Sequence, residues 1–247
     1  MRAVILAAGR GSRMGALTEA KPKCLTELAG RPLLAMQCAA LAAAGVSEVG
    51  IVTGYRAELL ALPGLSRFHN PRWETTNMVA SLACAAAWLE AGPCLVSYAD
   101  IFYAAETVRR LAVATAPIAV AYDPDWRRLW EGRFEDPLSD AETFRLQGDR
   151  IVDIGRRPRS IDDIEGQYMG LLRFTPAAWQ AAQRHRATLD APACDRLDMT
   201  SLLRALIHAD TEIRAVPTVP GWGEIDSASD LAFYEAQLAA GRLSLPA

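Results

Sequence analysis

The sequence predicts an α/β fold built on a doubly wound, mostly parallel sheet. Two observations carry this. Short apolar runs at residues 3–8 and 49–53 are hydrophobic on both faces, as strands covered by helices on both sides must be. Stretches with helical patterning alternate with such runs over roughly half of the chain. The composition fits a globular protein: of 247 residues, 51% are hydrophobic and 22% charged.

The first strand spans residues 3–8 and passes into a long loop, 9–24, interrupted by Pro22. A helix follows over 31–45, with Pro32 in its first turn and Gly45 at its stop. A strand at 49–53, a helical turn at 57–62 and a weak strand around Phe68, broken by Asn70-Pro71, come next. Residues 76–90 read as one helix with Thr75 or Thr76 as N-cap. The strand at 93–98 leads to Asp100. A helix at 105–114 and a strand at 117–121 complete the alternation. The pattern then changes: 142–147 and 150–154 flank Gly148-Asp149, a hairpin signature. Residues 168–174, 213–217 and 222–226 read as strands, and 176–188, 199–209 and 229–240 as helices. No linker or repeat divides the chain, so 1–247 reads as one domain. Its nucleotide-binding half reaches about residue 122, and the half that follows, about 123–247, with a small β-rich portion, folds onto the same sheet to bind the acceptor.

The net charge is −3, with no basic tail or long like-charge block, which argues against a nucleic-acid partner. Cys24, Cys38, Cys84, Cys94 and Cys194 are odd in number and scattered, so neither a zinc site nor a disulfide framework is expected. The longest apolar run, 78–89, is shorter than the about 20 residues that span a bilayer. These features predict a soluble, cytoplasmic protein with no membrane partner, and they leave a homodimer open.

The chemistry concentrates at the start. Residues 9–24 carry two glycines, Gly9 and Gly11, together with Arg10, Arg13, Lys21 and Lys23. A cationic loop of exposed amides behind a buried strand is a place for a polyphosphate. A Walker loop requires Gly-Lys-Ser/Thr, which is absent. A dinucleotide fingerprint requires a helix directly behind the glycines and an acid ending the second strand, but here that strand ends in Thr53-Gly54-Tyr55.

The run Leu6-Ala7-Ala8-Gly9-Arg10-Gly11-Ser12-Arg13-Met14, followed by Lys21-Pro22-Lys23, resembles the signature of the sugar-phosphate nucleotidyltransferase superfamily. The resemblance implies a Rossmann-like nucleotidyltransferase fold and assigns Leu6, Ala7, Ala8, Gly9, Gly11, Ser12 and Arg13 to the nucleotide. The residue chemistry agrees. Glycines let the backbone approach phosphates closely, Arg13 can grip the β- and γ-phosphates as a fork, and a lysine can stabilise the α-phosphate in the transition state. Alignment selects Lys23 over Lys21. Asp100, at the carboxyl end of a central strand, and Asp226, at the end of a late one, could share Mg²⁺, as family members' acids do. Each could instead cap a helix.

Sugar-phosphate members typically carry closely spaced glycines before the helix at 76–90. This chain has Asn77-Met78-Val79-Ala80-Ser81-Leu82 instead, which resembles the phosphocholine and 2-aminoethylphosphonate cytidylyltransferase branch and points Asn77 and Ser81 at the nucleotide. The segment 221–231 resembles the same branch. The resemblance implies CTP as donor and a small acceptor, 2-aminoethylphosphonate or phosphocholine, with acids in the 122–138 segment favouring the former. Trp126, Trp130, Asp136, Arg157, Tyr168 and Asp198 are the expected acceptor contacts, although the tryptophans could equally be packing residues. A sugar-1-phosphate uridylyl- or guanylyltransferase and a non-catalytic nucleotide-binding regulator are the alternatives.

Overall fold

The structure is a computed structural model, and it describes residues 1–245. In chain order the strands are β1 (Arg2–Ala7), β2 (Glu27–Leu28), β3 (Arg31–Pro32), β4 (Glu48–Thr53), β5 (Leu65–His69), β6 (Cys94–Tyr98), β7 (Ile101–Phe102), β8 (Ile118–Asp123), β9 (Phe144–Gln147), β10 (Arg150–Ile154), β11 (Gln167–Phe174), β12 (Ile213–Pro217) and β13 (Gly223–Glu224). The helices are α1 (Leu33–Ala43), α2 (Met78–Ala83), α3 (Ala86–Ala91), α4 (Ala105–Val113), α5 (Trp126–Arg133), α6 (Pro176–Ala187), α7 (Ala191–Arg196), α8 (Met199–His208) and α9 (Ala228–Ala239).

Nine strands form one twisted sheet in the order β5-β4-β1-β6-β11-β8-β12-β10-β9. Both halves of the chain contribute to it. All but β11 and β10 run the same way, so the sheet is mostly parallel as expected. β11 is inserted antiparallel between β6 and β8. Strand direction depends on the whole connection, so the apolar run at 168–174 does not declare it.

β1 shows why its sequence is apolar on both faces. Val4 joins the core cluster with α2, α6 and α8, while Ala3 and Ile5 join the cluster with α1, α4 and α5. All three side chains are fully buried. The chain leaves β1 for β4 on one side, and β6 lies on the other. That reversal of strand order opens a crevice at the carboxyl ends of β1 and β6, where the glycine loop and Asp100 begin.

Local differences from expectation have local causes. The helix expected from residue 31 begins at Leu33, because Arg31–Pro32 pairs with Glu27–Leu28 in a small ribbon. The helix expected over 76–90 is two, since Ala85, at φ −101° and ψ 18°, leaves helical geometry between α2 and α3. Its N-cap is Asn77, not Thr75 or Thr76. The Thr76 hydroxyl is spent on the Arg72 carbonyl at 2.8 Å. The helices α5 and α7 lie outside the elements that the sequence pattern predicts. No helix among the described residues is long and apolar enough to cross a membrane.

Gly54, just past β4, shows how tightly the cleft wall is built. A Cβ there would lie 2.5 Å from Trp73 Cβ and 2.6 Å from the Ala8 carbonyl oxygen. Overpacking of this kind costs about 1–3 kcal/mol. Gly54→Ala should therefore lower unfolding free energy by about that amount in urea titrations; a loss under about 0.5 kcal/mol would mean that the wall yields freely.

Candidate active site

The residues at the carboxyl ends of β1 and β6 enclose a cleft of about 330 Å³. Leu6, Ala7, Ala8, Gly9, Gly11, Ser12 and Arg13 line one side, and Asn77 and Ser81 line another. Lys23, Asp100 and Asp226 also line it. Every residue expected at the nucleotide, the transfer chemistry or the metal therefore borders one space.

Gly11 shapes the loop. At φ +69° it occupies the left-handed region, and a Cβ there would stand 2.9 Å from the Lys23 Cβ. Glycine thus permits both the turn and the passage of the lysine stem. Lys23 opens a 3₁₀ turn, Lys23–Leu25, directly after Pro22. Its ammonium donates to Asp100 Oδ2 at 2.7 Å and also to Asp226 Oδ1. Burial alone would lower the Lys23 pKa, but the charges of Asp100 and Asp226 outweigh it and raise it. Lys23 therefore stays protonated through the physiological range. The Arg13 guanidinium meets the other Asp226 oxygen at 3.0 Å.

Asp100 and Asp226 are brought together by a two-stranded ribbon. β7 pairs antiparallel with β13, Ile101 opposite Glu224 and Phe102 opposite Gly223. The Ile225 amide then donates to the Asp100 carbonyl at 2.9 Å. Gln37 of α1 braces the Asp100 loop from behind, donating to the Tyr98 and Ile101 carbonyls at 2.8 and 2.5 Å.

The ribbon adds an acid that sequence reading missed. Carboxylate oxygens of Asp100, Glu224 and Asp226 lie within 4.8 Å of one another. Asp100 Oδ1 is buried and has no hydrogen-bond partner among the described residues. A clustered all-oxygen donor set with a spare buried lone pair suits a hard divalent cation such as Mg²⁺. Burial, then the charges of Asp226 and Asp100, push the Glu224 carboxyl up to about 8. The signal for Glu224 was its place two residues before Asp226. A second missed signal concerns Lys23. The chain holds only two lysines, Lys21 and Lys23, among its 26 cationic residues. A compact ammonium in a chain that otherwise uses arginine marks a place where a fork would not serve.

Behind the acids lies a buried arginine. Arg133 of α5 is fully covered, its Nε 2.8 Å from Asp230 Oδ1 and a terminal nitrogen 3.5 Å from Glu224 Oε2. The other Asp230 oxygen accepts from the Asp226 and Ser227 amides at 3.0 and 2.9 Å, in the capping box of α9. The backbone of Asp226 is thus fixed by a carboxylate that Arg133 holds. Asp226 is not the cap itself; Ser227 fills that role.

The expected acceptor contacts fare differently. Trp126 and Trp130 are 4% and 3% exposed and pack with Trp222 in the core. One helical turn apart on α5, they share its inner face, so they cannot cage a ligand here. Asp136 is an exposed cap of the 3₁₀ turn Pro137–Ser139, accepting from the Leu138 amide at 3.0 Å. Arg157 is exposed and does not border the cleft. Asp198 caps α8, accepting from the Ser201 amide at 2.7 Å. Tyr168 stands edge-on to Tyr98, a cleft residue, at 5.6 Å between centroids. Asn77 borders the cleft, yet its oxygen accepts from the Met78 amide and its nitrogen donates to the Arg196 carbonyl. Cys24, Trp73, Thr76, Met78, Tyr98 and Ala99 complete the wall.

A family profile described as the MobA-like NTP transferase domain matches residues 3–138. The chain belongs to this family. It is therefore a nucleotidyltransferase, in keeping with the cationic loop and the facing acids. Among relatives, the CTP:phosphoglutamine cytidylyltransferase of Campylobacter jejuni is 34% identical, over 94% of this chain and 98% of that protein. A 2-aminoethylphosphonate cytidylyltransferase of Lancefieldella rimae is 32% identical over 43% of this chain and 45% of its own. Among solved structures, the inositol-1-phosphate CTP transferase of T. maritima shares the fold, with a TM-score of 0.73 at 18% identity over 96% of both chains.

The Arg133–Asp230 pair generates a pH-dependent prediction. Burial alone would raise the Asp230 carboxyl, but Arg133 and Ser227 outweigh it and hold it below the ordinary range. A carboxylate held low contributes its full stabilisation above the unfolded value, about 4, and loses it as pH falls through its lower folded value. Asp230→Asn should cost about 3 kcal/mol at pH 7, the typical price of breaking a buried pair. Urea titrations should find the gap to the parent narrowing below pH 4; a gap independent of pH would contradict the pairing.

Proposed function

We propose that this protein is a Mg²⁺-dependent cytidylyltransferase that moves CMP from CTP to a small phosphorylated acceptor bearing an amino group, releasing pyrophosphate. The observation that carries the reading is the Lys23 ammonium held between Asp100 and Asp226 beside the glycine loop. The choice of CTP is supported by the activity named for the Campylobacter jejuni relative, which matches nearly end to end. That same match favours an acceptor of the phosphoglutamine class. 2-Aminoethylphosphonate is the second candidate, favoured by the shorter Lancefieldella rimae match. Phosphocholine loses its support, because the tryptophans that would surround a quaternary ammonium are core residues.

Both favoured acceptors join an anionic phosphorus group to an ammonium. Glu142, partly buried and accepting from the Thr200 hydroxyl at 3.4 Å, is the carboxylate assigned to that ammonium. An acceptor phosphate oxygen attacks the α-phosphorus of CTP. The bond from that phosphorus to the oxygen bridging the β-phosphorus breaks, and pyrophosphate leaves with the electron pair. The acceptor oxygen is already anionic near neutral pH, so no general base is required. The amides of the glycine loop approach the phosphates, Arg13 grips the β- and γ-phosphates, and Lys23 stabilises charge on the α-phosphate oxygens. Asp100 and Asp226, with Glu224 beside them, would hold the Mg²⁺, which neutralises phosphate charge when bound.

A pyrophosphate-release assay with CTP, UTP and GTP against phosphoglutamine, 2-aminoethylphosphonate, phosphocholine and sugar 1-phosphates tests the reading. CTP with phosphoglutamine or 2-aminoethylphosphonate should give turnover, and Lys23→Ala or Asp100→Ala should lower kcat at least about 100-fold. Turnover confined to UTP or GTP with a sugar phosphate would replace the reading, and no turnover in any arm would make the protein a binder.

A further inference from the structure

Asn70 follows β5 and is 4% exposed. Its side-chain oxygen accepts from the Arg72 amide at 2.9 Å. A backbone N–H can only donate, so this bond fixes which way the side-chain amide faces. The NH₂ end therefore gives both of its protons away, to Thr76 Oγ1 at 2.9 Å and to Ser81 Oγ at 3.0 Å. Both hydroxyl oxygens are committed as acceptors. Thr76 sends its own proton to the Arg72 carbonyl. Among the described residues the Ser81 proton has no acceptor, and Ser81 lines the cleft.

The phosphate end of that cleft is marked by Gly11, Arg13 and Lys23, which leaves the wall of Ser81, Trp73 and Met78 for the base. We propose that Asn70 sets the base preference of the enzyme by holding Ser81 as a hydrogen-bond donor toward the ring N3 of the nucleobase. Cytosine presents a lone pair at N3 and accepts the Ser81 proton; uracil presents N3–H, which the remaining Ser81 lone pair meets only if that proton turns away to a place with no acceptor among the described residues. A site built on such a bond penalises the mismatched base, because the Ser81 proton then stays unpaired in a desolvated place. Asn70 touches no ligand itself and acts as a positioning residue. The inference rests on the CTP reading above and supplies the cause of that preference.

Asn70→Asp tests it by reversing polarity in nearly the same volume. One carboxylate oxygen still accepts from the Arg72 amide. The other now accepts the Ser81 proton, which turns a Ser81 lone pair toward the cleft and suits uracil. The measurement is kcat/KM for CTP and for UTP in the parent, Asn70→Asp and Ser81→Ala. The CTP:UTP ratio should fall at least about tenfold in Asn70→Asp, with UTP use rising in absolute terms. Ser81→Ala should lower kcat/KM for CTP about tenfold while barely changing that for UTP. A merely structural role for Asn70 would depress both nucleotides together and leave the ratio unmoved. If Asn70→Asp does not fold, Ser81→Ala decides alone, and unchanged CTP use there overturns the proposal. A parent that prefers UTP overturns the CTP reading and this inference together; a parent that prefers CTP, with variants that keep its ratio, overturns only the inference.

Discussion

The site depends on one buried ammonium shared by two carboxylates. Lys23 lies 77 positions from Asp100 and 203 from Asp226 in the chain, yet contacts both. Two acids brought this close repel each other, and both are largely withdrawn from water. Such a pair is tolerated only with a compensating positive charge held in good geometry. Lys23 provides it, and the loop glycine at position 11 exists in the form that lets the lysine stem pass. The acids that hold the ammonium are also those that would hold a divalent cation, so one cluster of charges would serve both.

The rest of the fold delivers these three groups to one point. Parallel β1 and β6 set the glycine loop and Asp100 side by side. The short ribbon of β7 and β13 then carries the late segment back across, so Glu224 and Asp226 face Asp100. Arg133 and Asp230 stiffen that return from behind, joining α5 and α9 to the acids through a guanidinium with no solvent exposure. On the opposite wall, Asn70 ties the end of β5 to α2. Polar groups on both walls are thus anchored through buried partners.

The first half of this architecture was legible because its signals are local. A strand apolar on both faces, a glycine loop and a helix-length apolar run each declare themselves within about ten residues. The residues expected at the nucleotide, which border the cleft, were read from one contiguous motif and one short helix start. The acceptor side was not legible in the same way. Trp126 and Trp130 sit in a segment rich in acids and arginines, which invites a ligand reading; their spacing of four residues, one helical turn, was the signal that they share a buried face. Asp198 and Asp136 are caps, a role that short polar side chains fill wherever a helix or 3₁₀ turn begins. The local mark of Glu224 is its spacing from Asp226. Asn70 depends on pairings between distant segments, and no local pattern announces it. The antiparallel insertion of β11 is of the same kind.

The central claim is that the acids gathered around Lys23 form a divalent-cation site serving the nucleotide triphosphate. Electron paramagnetic resonance of Mn²⁺ added to the protein with a non-hydrolysable CTP analogue tests it most directly, because it reads binding without turnover. Parent protein should bind Mn²⁺ in the presence of the analogue, and Asp100→Asn should weaken that binding at least about tenfold, the scale of a lost charged ligand. Equal Mn²⁺ affinity in parent and variant, with both folded, would contradict the account.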